Sequence, residues 1–320
     1  MAGSHEFQLR IFLSADLSGS TQYKARSACD GLPAWVMAFY DFHTRFADEL
    51  DAAYDDLPSV LAAHHGPESE RLLPWKHIGD EIVFSAKLSC CRQALGHVVA
   101  AVKAVERFER LWREPGHWPD GQPMTIKLTA WLAGFPVTNY SIELASQAVR
   151  SVDYLGPSVD LGFRLRGLAT PTRFPVTADL GYLLLTHPSY ERAGVLELRY
   201  LGGQVLRGVL DERPYPLVWL PMRQSDADDP LPGFTPHYDQ DNLCRSLSVF
   251  LKERHGRLPF IAGDPHPDFA QIPPDLAGVP DVLDRLGYPG KSYDQLPEDA
   301  VASTGEEAAL APVVTERTVR

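Results

Sequence analysis

An apolar, β-prone run from Leu9 to Ala15 predicts a buried strand, and it ends on Asp16 and the turn-forming Leu17-Ser18-Gly19-Ser20-Thr21. From Pro33 to Tyr54 the period lengthens: Trp35, Phe39, Phe42, Phe46 and Leu50 recur near helical spacing. Leu73 to Ile78 and Ile82 to Lys87 read as a hairpin around Gly79-Asp80-Glu81, Gln93 to Trp112 as a second amphipathic helix, and Thr125 to Phe135 as a strand. The order strand, helix, hairpin, helix, strand predicts an α+β, ferredoxin-like fold, with an antiparallel-rich sheet carrying its helices on one face. In that topology the end of the first strand lies beside the hairpin turn, so Asp16 and Asp80 are expected to meet.

Downstream, Gly156-Pro157 opens a helix, followed by a short strand at Phe174 to Thr177 and a helix near Ala178 to Leu185. A terminal meander runs through Leu196 to Leu201, Gln204 to Val209 and Leu217 to Leu220. From Arg223 the texture changes. Asp226, Asp228, Asp229, Pro230 and Pro232 mark a boundary, which divides the chain into 1–7, a catalytic unit at 8–222 and a Pro-rich extension at 223–320. The extension, with helical pieces at Asn242 to Glu253 and Val279 to Leu286, is expected to pack on the core and to end in a mobile stretch of about fifteen residues. Ala2-Gly3-Ser4-His5 reads as a vector remnant.

Composition narrows the functional classes. A net charge of −12 argues against nucleic acid or an anionic membrane as the main partner, and an anionic ligand would need local cations. No apolar run reaches the length of a membrane span, and no signal-peptide pattern opens the chain, so a cytoplasmic location is expected. Cys29, Cys90, Cys91 and Cys244 lack metal-ligand spacing and read as packing residues of a reducing compartment.

Asp16 and Asp80 each sit where a strand delivers a carboxylate into a Gly-containing turn. Either alone is also what a helix N-cap or a hairpin turn selects. Together they offer hard oxygen ligands for two divalent cations, Mg²⁺ or Mn²⁺, against a triphosphate. In Gly156-Pro157-Ser158-Val159-Asp160-Leu161-Gly162-Phe163-Arg164, Asp160 and Arg164 leave one helix face. They form either an ordinary surface pair or, since guanidinium is a permanent planar fork of donors, a phosphate-directed group.

These segments together resemble the class III nucleotidyl cyclases, and within them the pyrimidine cyclases of bacterial Pycsar antiphage defence. The Phe12 to Thr21 run looks like the first metal motif, Lys76-His77-Ile78-Gly79-Asp80 the second, and Asp153 with the Gly156 helix the third. The resemblance spans about residues 8 to 221. It implies a class III catalytic domain whose two metals are held by Asp16, Asp80 and the Leu17 carbonyl. It also implies base reading by Lys76 and Asp153, and a transition-state role for Arg164. Asp160 stands where purine cyclases usually carry an asparagine, a departure associated with the pyrimidine branch. Sites shared between two chains of a homodimer are implied as well, so that Arg164 serves its partner's metals, and the product would act on a separate effector protein.

Backbone N–H groups around Ser18, Gly19, Ser20 and Thr21 are expected to cradle phosphates, with Arg207 as a further phosphate contact. A lysine donor beside a carboxylate acceptor suits adenine, cytosine and uracil alike. Tyr54 is the expected steric wall against purines. The resulting expectation is a uridylate cyclase, UTP favoured over CTP. The alternatives are an adenylyl cyclase and, in another class, a non-catalytic nucleotide-binding dimerisation module.

Overall fold

Alternation along three neighbouring strands decides the layering. In a computed structural model describing residues 7–27, 34–113, 124–145, 150–188, 190, 197–222, 239–255, 258–274 and 276–285, strand β1 (Gln8–Ser18) sends Leu9, Ile11, Leu13, Ala15 and Leu17 into the main core. Phe12, Ser14 and Asp16 then point to the opposite face. After β1 come α1 (Ser20–Ser27), α2 (Ala34–Asp55), the single turn α3 (Ser59–Ala62), β2 (Leu73–Ile78), β3 (Glu81–Leu88), α4 (Gln93–Trp112) and β4 (Thr125–Phe135).

β1 runs antiparallel to both β3 and β4, and β2 pairs outside β3. That order, β2-β3-β1-β4, is the ferredoxin-like arrangement predicted from the pattern. The sheet continues through β7 (Arg173–Val176), β9 (Pro214–Pro221) and β8 (Arg199–Val205), with a single parallel pairing, β4 to β7. Helices α2 and α4 cover the first face. Phe42, Phe46 and Leu50 of α2 and Leu95, Ala101 and Phe108 of α4 are sealed from solvent against the β1, β3 and β4 apolar rows. Each such Phe or Leu side chain contributes about 1.5 to 3 kcal/mol of burial free energy.

Helices do not keep to that face alone. The second face carries an aromatic cluster in which Phe12 stacks on Trp131 at 5.5 Å, with Trp75 and Tyr154 edge-on to Phe12. The cluster is covered by α5 (Pro157–Leu165) and by a two-stranded sheet, β5 (Tyr140–Ala145) with β6 (Arg150–Leu155). Neither strand follows from the sequence pattern. Gly162 explains how α5 comes so close: a Cβ there would lie 2.1 Å from the Trp131 ring.

The expected terminal meander is a hairpin. The first two segments merge into β8, which absorbs the irregularity by a register shift between Tyr200 and Gly203. Past residue 222, α7 (Gln240–Phe250), α8 (Pro267–Ala270) and α9 (Val279–Arg285) are the described helices. Leu247 packs beside Gly181 of α6 (Ala178–Leu185), and Phe269 is fully buried against Tyr182. Asp264 accepts hydrogen bonds from the Cys91 backbone N–H at 2.5 Å and the His266 N–H at 2.7 Å. Ala2 to His5, Cys29, Pro33, Leu196, the Asp226 to Pro232 boundary, Leu286 and the last fifteen residues lie outside the described residues.

Candidate active site

The cleft on the second face begins with a row of charge. The pairing places Asp16 opposite Glu81 of β3 on one side and Lys127 of β4 on the other. Positions directly opposite in an antiparallel pair share a face, so all three side chains emerge together at the end of β1. Lys127 Nζ lies 2.9 Å from the Asp16 carboxylate. Glu81 accepts from Ser14 Oγ at 2.5 Å and is paired with Arg166, from the 3-10 turn Arg166–Leu168 that follows α5.

The β2–β3 turn closes on this row as the topology predicts. Gly79 turns with φ 65°, which glycine adopts without a Cβ penalty. The following Asp80 carbonyl accepts from the Leu17 N–H at 3.2 Å, and its carboxylate accepts from Ser20 Oγ. Asp16 and Asp80 therefore share one cleft of about 690 Å³, lined also by Leu17, Gly19, Ser20, Thr21, Gln22, Glu81, Lys127, Arg166 and Gly167. Gly19 connects β1 directly to α1, so the first turn of that helix faces the cleft. Ser18 ends β1 opposite Thr125 and does not line the cleft.

Burial raises the Asp16 carboxyl above its ordinary value, opposed by its bond to Lys127, and the nearby Asp80 charge pushes it the same way as burial. Burial also raises Glu81, with Ser14 and Arg166 opposing. Crowded, partly desolvated carboxylates of this kind are relieved by a cation. Among the described residues no group of three or more His, Cys, Asp or Glu side chains forms a metal cage. The expected donor set is two carboxylates and the Leu17 carbonyl. That fits Mg²⁺ or Mn²⁺, which is held by one or two carboxylates and completes its shell with substrate phosphate and water.

Lys76 and Asp153 come together although 77 positions separate Trp75 from Val152. The Trp75 indole N–H donates to the Val152 carbonyl at 2.8 Å, which fixes β6 alongside β2. Lys76 Nζ then lies 2.6 Å from Asp153 Oδ1 and 4.6 Å from the Trp75 ring centre. Donor and acceptor of the expected base reader thus form one ion pair, each engaging the other.

Four expected residues lie elsewhere. Tyr54 is buried in the first-face core, 3% exposed, and its hydroxyl is shared with His97 Nδ1 at 2.5 Å while accepting from the Leu72 N–H at 3.1 Å. It does not line the cleft of Asp16 and Asp80, because the helix stripe that carries it is the stripe that seals the core. Arg207 occupies an exposed turn between β8 and β9, at the far end of the sheet from Asp16. Arg164 and Asp160 are exposed on α5, and neither lines this chain's own cleft.

This chain is similar in shape to several solved structures. An adenylyl cyclase, CyaB, from P. aeruginosa is 13% identical, with 67% of this chain and 94% of that one covered, at a TM-score of 0.44. The guanylate cyclase domain of RhGC from Catenaria anguillulae, solved with GTP, is 12% identical over 67% and 97%, also at 0.44. An adenylate cyclase from Trypanosoma brucei is 15% identical over 66% and 89%, at 0.43. These values are too low for shape to argue for function. No protein-family profile and no curated protein matches the chain.

Glu81, Lys127 and Arg166 escape a reading by motif. Lys127 was reachable by pattern: it alternates with Ile126 and Leu128 and shares the Trp131 face, so a correct β1–β4 register puts it beside Asp16. Arg166 was not, since a 3-10 turn after α5 carries no periodic signal.

Proposed function

We propose that the chain is a metal-dependent nucleotidyl cyclase that converts a pyrimidine nucleoside triphosphate, UTP before CTP, to its 3′,5′-cyclic monophosphate and pyrophosphate. The observation that carries this reading is the meeting of Asp16 and Asp80 in one cleft at the start of α1. When bound there, two divalent cations would supply activation of the ribose 3′-hydroxyl and neutralisation of the leaving pyrophosphate. Asp16, Asp80 and the Leu17 carbonyl would hold them.

The chain's own groups do the rest. N–H groups and hydroxyls from Gly19 to Thr21 meet the phosphates at a helix N-terminus. Lys127 and Arg166 are cations lining the same cleft, and both can turn from carboxylate to phosphate oxygen. Lys76 and Asp153 open their ion pair to present a donor and an acceptor to the base edge. In a homodimer, the exposed Arg164 of one chain reaches the cleft of the other and stabilises charge developing at the α-phosphate, with Asp160 beside it. Its absence from its own cleft agrees with that arrangement.

Preference for a pyrimidine rests on the likeness of the Gly156-Pro157-Ser158-Val159-Asp160 segment to the pyrimidine branch, as does a role of the product as a messenger to an effector in antiphage defence. With Tyr54 in the core, Trp75, whose ring centre lies 4.6 Å from Lys76 Nζ, takes the steric role. Incubation of the protein with each of the four ribonucleoside triphosphates and Mn²⁺, with products identified by mass, tests the reading. Cyclic UMP or cyclic CMP is expected to exceed cyclic AMP. Dominant cyclic AMP would replace it with an adenylyl cyclase, and no cyclic product from any nucleotide would leave a non-catalytic dimerisation module.

A further inference from the structure

Helix α5 is anchored to its own chain's cleft at its C-terminal end. Arg166, two residues after Arg164, pairs with Glu81, the neighbour of Asp80 in the β2–β3 hairpin. The Glu81 side chain is 2% exposed and is braced from behind by Ser14 Oγ at 2.5 Å. The Arg166 guanidinium also lies over the Phe163 ring at 5.9 Å. One turn back, Gly162 rests against Trp131 of β4 so closely that no side chain fits between them. At the other end, Asn139 fixes the start of α5: its Oδ1 accepts from the Ser158 N–H at 2.9 Å, and its Nδ2 donates to the Gly134 carbonyl at 3.1 Å. The helix is therefore held rigidly, and one of its anchors is a buried charge beside the metal-turn aspartate.

We propose that the Glu81–Arg166 pair couples the two active sites of the dimer: it ties the geometry of a chain's own Asp80 turn to the Arg164 that the same chain lends to its partner. This rests on the composite-site reading above and adds to it. Arg164 works in the other chain's cleft, whereas Arg166 lines its own. Only Leu165, fully buried at the end of α5, separates the two, which leaves little freedom to move one without the other. The pair joins a buried carboxylate to a guanidinium that is 36% exposed, so the arginine can swing out towards solvent, and opening the pair strands the Glu81 carboxylate. An element of that kind, biased by the occupancy of one site and felt at another, is what physical coupling requires. Glu81 and Arg166 are positioning residues in this scheme.

A trans experiment separates coupling from local damage. An Asp80→Ala chain is mixed with an Arg164→Ala chain, so that one composite site is intact: Asp16 and Asp80 come from the second chain and Arg164 from the first. Glu81→Gln is then added to the Asp80→Ala chain only, where the neighbouring metal site is already dead. Coupling predicts that turnover at the intact site falls about fivefold or more, with KM for the nucleotide little changed. The same is expected of Arg166→Gln on that chain, while Arg166→Lys restores most of the rate. Unchanged turnover with both substitutions, in heterodimers of normal thermal stability, overturns the coupling and leaves the cyclase reading standing. Failure of the parent pair to complement at all, despite shown subunit exchange, overturns the composite site and the coupling with it.

Discussion

His65 makes the fold acid-sensitive by a calculable amount. Both of its ring nitrogens are shut off from solvent, and the ring sits edge-on to His97 at 4.8 Å. Burial pushes its pKa down from 6.5 to about 4, and burial also drives the fully enclosed His97 well down. A depressed base is protonated first in the unfolded chain. The unfolded state therefore binds more protons between pH 6.5 and 4, and stability is lost as pH falls through that window. For His65 the linkage integral between pH 7 and pH 5 comes to about 1.8 kcal/mol, an upper bound because the ring is partly in contact with solvent, so that about 1 to 2 kcal/mol is expected.

The total acid slope does not isolate this effect. Asp179, whose carboxyl is raised by burial to about 6, has the opposite sign, because its folded form gains a proton as pH falls. The informative quantity is the double difference: urea unfolding of wild type and His65→Gln at pH 7 and at pH 5. Wild type should lose about 1 to 2 kcal/mol more than the variant over that interval. Equal losses in the two proteins would refute the reasoning.

Asp16→Ala or Asp80→Ala should abolish cyclase turnover and weaken Mn²⁺ binding measured by calorimetry, while the unfolding free energy stays within about 0.5 kcal/mol, because Asp80 lies at a turn and Asp16, near the end of β1, is already crowded and partly desolvated. Full activity in either variant, or in excess EDTA, rules out the two-metal reading. Tyr54→Phe should cost about 1 to 3 kcal/mol in chemical denaturation, by leaving the buried Leu72 N–H and His97 Nδ1 without their shared oxygen, yet leave the ratio of cyclic UMP to cyclic AMP unchanged. A shift of that ratio would return Tyr54 to the base pocket.

What the sequence made legible divides along the range of the forces involved. Apolar periodicity is a local property, and it yielded β1, β2, α2, α4 and β4 close to their observed bounds, hence the strand order and the meeting of Asp16 with Asp80. The β5–β6 pair was hidden because what fixes it is long-range: the Trp75 indole bond to Val152 and the edge contact of Tyr154 with Phe12. Tyr54 shows the opposite failure. A tyrosine at the end of a long helix reads equally as a pocket wall or a core residue, and only the partners of its hydroxyl distinguish the two. His97 and Leu72 lie 43 and 18 positions away, so no local pattern could supply them. The same logic explains the unforeseen cations. Lys127 and Arg166 matter through the carboxylates they meet across the sheet, and a charged residue declares its role only when register and tertiary approach have fixed its partner. In a chain carrying a net charge of −12, those two cations offset a cleft of three carboxylates, and the proposed function requires them for a triphosphate to enter it.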